Sequence, residues 1–224
     1  METFKHKFFG WLEADARKWV NADGSEGGIV AIDASVHVSV RVSLGAEIGP
    51  RASIGPRASI GDGASIGGCA SIGPRASIGD GASIGDGALI GGGASIGGCA
   101  SIGPRASIGD GASIGGGASI GYGASIGDGA SIGDGALIGY GEWFFTAGPQ
   151  GGRNALLTAV LKPEGLRWWV GCRHNVTTEE LLAAVEAFHG ASAHGDDYRH
   201  IIKSIETHPG LARALEAQSK KQAA

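Results

Sequence analysis

Histidine is absent from Val38 to Trp143, close to half of the chain. A metal centre of several imidazoles therefore has no ligands in that stretch. Threonine is absent from residues 34–141 as well. Cysteine is scarce. Cys69, Cys99 and Cys172 are an odd number and have no metal-ligand spacing. No hydrophobic run approaches the length of a membrane span. The first residues, METFKHKFFGWLEADARKW, intersperse charges with apolar residues and contain no apolar leader core. The expectation is no membrane association, a cytoplasmic location, and no bound metal. The formal net charge of −4 gives no general attraction to nucleic acid.

What the chain does have is glycine, 43 of 224 residues, most of it in one repeat. From Ala34 to Gly141 a six-residue unit, Ala-Ser-Ile-Gly-x-x, recurs eighteen times without insertion or deletion. The aliphatic position runs Val36, Val42, Ile48, Ile54 and onward to Ile138, and two residues before it stands Ala, or Val at Val40. A fixed short period with a buried aliphatic stripe predicts a solenoid of parallel strands. Strand alternation turns Ala and Ile inward and Ser outward, with the glycine after Ile also outward. The next two residues, Asp-Gly, Pro-Arg, Gly-Gly, Gly-Cys or Tyr-Gly, have turn chemistry. Glycine at the second of them suits a left-handed backbone, and arginine or cysteine there is strained.

These hexads resemble the hexapeptide-repeat, left-handed β-helix superfamily. The resemblance covers residues 34–141 and implies handedness and a triangular coil of three hexads. The fold class expected is an all-β solenoid of about six coils, with a homotrimer as the implied assembly. Asp62 with Asp80, and Asp110 with Asp128, then stack as like charges and repel slightly. Cys69 and Cys99 fall on different edges, which excludes a disulfide between them within one chain. Of the outer positions, fourteen of eighteen are Ser, the others being Arg41, Glu47, Leu89 and Leu137. Flat faces without threonine argue against ice binding.

Three parts are expected: an amphipathic capping helix and linker over 1–28, the β-helix over 29–141, and a small α+β domain over 142–224. Phe4, Phe8, Leu12 and Trp19 set the helical spacing of the first. In the last, EWFFTAG, ALLTAVL and LRWWVGC predict strands. Thr177 and Glu180 form a capping-box signature for a helix ending at Gly190, and a second helix follows from Asp197 to His208. Pro209 ends it or opens a third. The motifs GPQGGRN, WVGC, FHG and HGDDYR resemble a small domain of uncharacterised bacterial and phage proteins, which implies no activity.

The superfamily resemblance implies acyltransferases with a histidine base and an acyl-CoA donor, or an anhydrase type with three metal-bound histidines. The repeat offers only His37. Near-identical hexads also leave little room for a site, which breaks repeats. The expectation is therefore a non-catalytic, cofactor-free scaffold. Its trimeric prism presents the C-terminal domain to a protein partner or a small anion. Candidate ligand-binding residues there are Arg153 and Asn154 in the glycine-rich loop, Trp168 on a strand, and His194, Tyr198 and Arg199. Arg153 suits an anion clamp. No catalytic residue is assigned. Two alternatives remain: an acyl-CoA-dependent acyltransferase, and a protein that sequesters a small anion or nucleotide at subunit junctions.

Overall fold

The computed structural model describes residues 3–139, 142–150, 155–170 and 173–222. Each hexad forms one two-residue strand, from β4 (Ser35–Val36) to β21 (Leu137–Ile138). Each strand pairs in parallel with the strand three hexads later, as Ser53–Ile54 does with Ser71–Ile72. Three hexads thus close one coil, and the repeat strands sort into three sheets of six. Ile48, Ile66, Ile84 and the alanines Ala64 and Ala82 are buried at 2 % exposure or less. Each buried isoleucine contributes about 1.5–3 kcal/mol.

The corners show why the hexad tolerates so little change. Gly63 and Gly81 adopt φ +66, and Arg57, Arg75, Cys69 and Cys99 are held at φ between 59 and 62 or, for Cys99, at 57. The glycine after each Ile has a different reason. A Cβ on Gly91 would lie 2.5 Å from the amide nitrogen of Asp110 on the next coil. That glycine permits the coils to approach; it does not merely face solvent. The stacked aspartates are also more settled than like charges suggest. Asp80 Oδ1 accepts the Asp62 N–H at 2.8 Å, and Asp128 Oδ1 accepts that of Asp110 at 2.9 Å. Charge-assisted bonds between coils offset the repulsion.

The N-terminal segment corrects one expectation. It is no helix but an antiparallel hairpin, β1 (Phe4–Phe8) and β2 (Leu12–Val20), followed by β3 (Glu26–Ala31). The β3 strand pairs antiparallel with β2 and parallel with β6 (Glu47–Ile48), so the segment extends one face of the prism. The misreading has a simple cause. Apolar residues four apart satisfy a helical stripe and a strand's period of two equally. Exposed strand edges decide the matter, because the first coil offers unpaired backbone groups. The turn Phe9–Gly10, at φ 53 and 76, closes with Trp11 N–H donating to Phe8 O at 3.1 Å. Trp19 and Phe8 join the prism core.

Past the last coil the chain forms an antiparallel sheet, β22 (Phe144–Gln150), β23 (Ala155–Lys162), β24 (Gly165–Val170) and β25 (Arg173–Val176). Three helices follow: α1 (Thr178–His189), α2 (Ala193–Glu206) and α3 (Pro209–Gln222). The capping box of Thr177 and Glu180 is formed, and Gly190 caps the other end. Val160 and Trp169 enter the core of the prism. Leu157, Trp168, Tyr198 and Ile202 belong to a second core between sheet and helices. The buried Thr158 hydroxyl accepts the Gly133 N–H at 3.0 Å, replacing a partner that a further coil would supply. Among the described residues, no helix is long and apolar enough to cross a membrane.

Candidate functional site

The hairpin carries a histidine onto the outer face of the prism. His6 Nε2 lies 3.1 Å from Glu47 Oε1, and the second carboxylate oxygen accepts the Phe9 N–H at 3.1 Å. Glu47 occupies an outward position where most hexads carry Ser. A carboxylate only accepts, so Nε2 carries a proton, and in the neutral imidazole Nδ1 holds the lone pair. Phe4 and Phe8 meet the imidazole edge-on, at centroid distances of 6.3 and 4.7 Å. The imidazole side chain is 21 % exposed and the carboxylate 27 %. This is the arrangement of a base oriented by an acid.

At the tip of the same hairpin a cleft of about 420 Å³ runs along one edge of the prism, and neither His6 nor Glu47 lines it. Trp11 and Leu12, at the tip of the hairpin, form one wall, and Pro50, Arg51, Cys69, Asp86 and Arg105 from successive coils form the other. The Phe9 ring reaches Gly49, where a Cβ would come within 3.0 Å of it, so the hairpin tip sits directly on the coil that carries Glu47. Arg51 and Arg105 are exposed, and Arg105 is braced by a 2.6 Å bond to the Tyr122 hydroxyl. The cleft therefore offers an indole, two aliphatic surfaces, a thiol, a carboxylate and two guanidinium groups.

The candidates read from the C-terminal sequence have different surroundings. Arg153 and Asn154 lie outside the described residues. Trp168 is fully buried and its Nε1–H donates to the Thr178 hydroxyl at 2.9 Å, so it leaves no face for stacking on a ligand. His194, Tyr198 and Arg199 all lie at the corner between α1 and α2. Tyr198 stacks on His189 at 5.5 Å, and His194 meets His189 edge-on at 6.3 Å. Burial raises the Tyr198 phenol above its ordinary range. Arg199 donates to Gly190 O, Glu186 and Asp196 at 2.8, 3.2 and 2.7 Å, which ties the helix corner together. His37 is exposed, with Nδ1 against the Ser39 hydroxyl at 2.8 Å. Reasoning from sequence passed over His6 because it looked for a base inside the repeat. The signal was present in the outward acid Glu47, which breaks the serine pattern.

The sequence matches the family model described as bacterial transferase hexapeptide (six repeats) over residues 105–140. No curated protein matches the chain. Solved structures that resemble it include the acetyltransferase domain of PglB from Neisseria gonorrhoeae. That one has 21 % identity and a TM-score of 0.38, covering 49 % of this chain and 48 % of the other. A perosamine N-acetyltransferase from Caulobacter crescentus, in complex with CoA and GDP-perosamine, has 27 % identity and a TM-score of 0.31 over 50 % of each chain. A hexapeptide transferase family protein from Anaplasma phagocytophilum has 18 % identity and a TM-score of 0.30, covering 79 % of this chain and 92 % of the other. The chain spans about half the length of the first two. The match to a transferase family overturns the expectation of a non-catalytic scaffold. Residues 105–140 thus match the hexapeptide-repeat family, and the parallel three-hexad coils of residues 34–141 have the architecture of its β-helix.

Proposed function

We propose that the protein is an acyltransferase that moves an acyl group from a CoA thioester to a hydroxyl or amine, with His6 as general base. The observation that carries this reading is the His6–Glu47 pair on the outer face of a transferase-type repeat. Glu47 holds the imidazole in one tautomer, and Nδ1 takes the proton of the acceptor as its oxygen or nitrogen attacks the thioester carbonyl. The new C–O or C–N bond forms, the C–S bond breaks, and the departing thiolate receives the proton from the imidazolium. Arg51 and Arg105 suit the donor's phosphates, and Trp11 suits a planar or aliphatic part of it. The repeat's flat faces, with Leu89 and Leu137 at 53 % and 43 % exposure, support a homotrimer. The division into 1–28, 29–141 and 142–224 is part of the same proposal, its first boundary falling within β3, which joins hairpin and prism in one sheet.

The test is release of CoA from acetyl-CoA and longer acyl thioesters in the presence of a panel of amines and sugars. The parent protein should turn over, and His6→Gln should lose about 10²–10⁴-fold of the rate. A parent that neither binds an acyl-CoA nor releases CoA would exclude the proposal, as would full activity of His6→Gln.

A further inference from the structure

A second edge of the prism carries charge that, among the described residues, no acid pairs with. Its corners include Ser39, Arg57 and Arg75, then Gly93, Gly111 and Gly129. The three glycines have φ 68, 66 and 63, a backbone that glycine adopts freely. Arg57 and Arg75 occupy the same position at φ 62 and 61, where a Cβ is disfavoured. They are also neighbours. Arg75 N–H donates to Pro56 O at 3.0 Å, which sets the two corners one coil apart, about 4.8 Å. Among the described residues no ion pair involves either guanidinium, whereas Arg41, Arg167 and Arg199 each have an acid. Along the edge the first acid is Asp110, two coils past Arg75, and its Oδ1 is taken by the Gly92 N–H at 2.6 Å.

Arg57 and Arg75 are exposed like charges stacked one coil apart, a spacing at which one anion can answer both. We infer that Arg57 and Arg75 clamp a soluble phosphate-bearing ligand, a pyrophosphate or a phosphate monoester, against this edge. Two planar guanidiniums one coil apart can each give a bidentate bond to one tetrahedral anion. The column continues upward. Arg57 N–H donates to Ser39 Oγ at 2.9 Å, and Ser39 N–H donates to His37 Nδ1 at 3.1 Å. The His37 proton is therefore on Nε2, a further donor at the head of the column. Two arginines are too few for an anionic membrane surface, which takes clusters of about four to eight basic residues. This site is separate from the cleft at the hairpin tip and does not depend on acyl transfer.

The experiment is calorimetric titration of inorganic pyrophosphate at low ionic strength, in an Arg51→Gln/Arg105→Gln background that removes the cleft's arginines. Binding should persist there and weaken at least tenfold when Arg57→Gln and Arg75→Gln are added. Arg57→Gly/Arg75→Gly, which relieves the backbone and so folds at least as well, should lose binding to the same extent. Affinity unchanged within twofold in either pair of variants would overturn the site. So would absence of pyrophosphate binding in the background protein, or binding to phosphatidylglycerol vesicles without binding to pyrophosphate.

Discussion

Trp168 and Trp169 are adjacent on one strand and belong to two different cores. Trp168 is fully buried between the C-terminal sheet and its helices, and Trp169, at 1 % exposure, closes the end of the prism with Val160. Period-two alternation makes one strand the shared wall of both.

That arrangement separates two failures. Trp169→Ala should open the prism end and cost about 3–5 kcal/mol. Trp168→Ala should remove a similar amount from the C-terminal domain. Hydrogen exchange locates each loss. Trp169→Ala should speed exchange at the last coils, and Trp168→Ala should speed it in β23, β24 and α2 while the first coils stay protected. Equal effects of both throughout the prism would contradict the division.

Glu47→Gln should lower the acyl-transfer rate by roughly 10²-fold with little change in KM, because the carboxylate acts through the imidazole rather than on substrate. The melting temperature should change little, since the pair is partly exposed. A fall in KM-dependent binding alone would assign Glu47 to substrate instead.

The two kinds of glycine in the hexad make opposite predictions. Gly91→Ala pushes a Cβ into backbone of the next coil and should destabilise by about 1–3 kcal/mol. Cys99→Gly relieves a left-handed cysteine and should stabilise by about 0.5–1 kcal/mol after the added freedom of the unfolded chain. Denaturant midpoints decide both.

Tyr198 gives the alkaline limb of the stability curve a specific source. Burial raises its phenol above the ordinary value of 10.0. The unfolded chain ionises first, so the contribution is complete below that value and falls as pH rises toward the folded pKa. Tyr198→Phe should flatten the decline of melting temperature above about pH 10. An identical decline in parent and variant would remove Tyr198 as its cause.

The repeat was legible because its information is local. One buried aliphatic every six residues and turn residues between leave a coiled prism as the way to bury every Ile at once, and the strands from Ser35 to Ile138 follow that pattern. The capping box at Thr177 was legible for the same reason, being a contact between residues three apart. The segment over 3–20 was not, because Phe4, Phe8 and Leu12 satisfy both periods and only the waiting edge of the first coil selects a strand.

The sequence by itself determined the coil, its buried Ala-Ile lining and the glycine-led corners, since each depends on backbone preferences repeated in phase. Tertiary structure alone decided which histidine faces an acid. His6 and Glu47 are 41 residues apart, and nothing in the spacing relates them. They meet because the hairpin extends the sheet and curls its tip over the coil at Gly49. Long-range pairing of this kind depends on where an edge is left open, and that is a property of the folded prism.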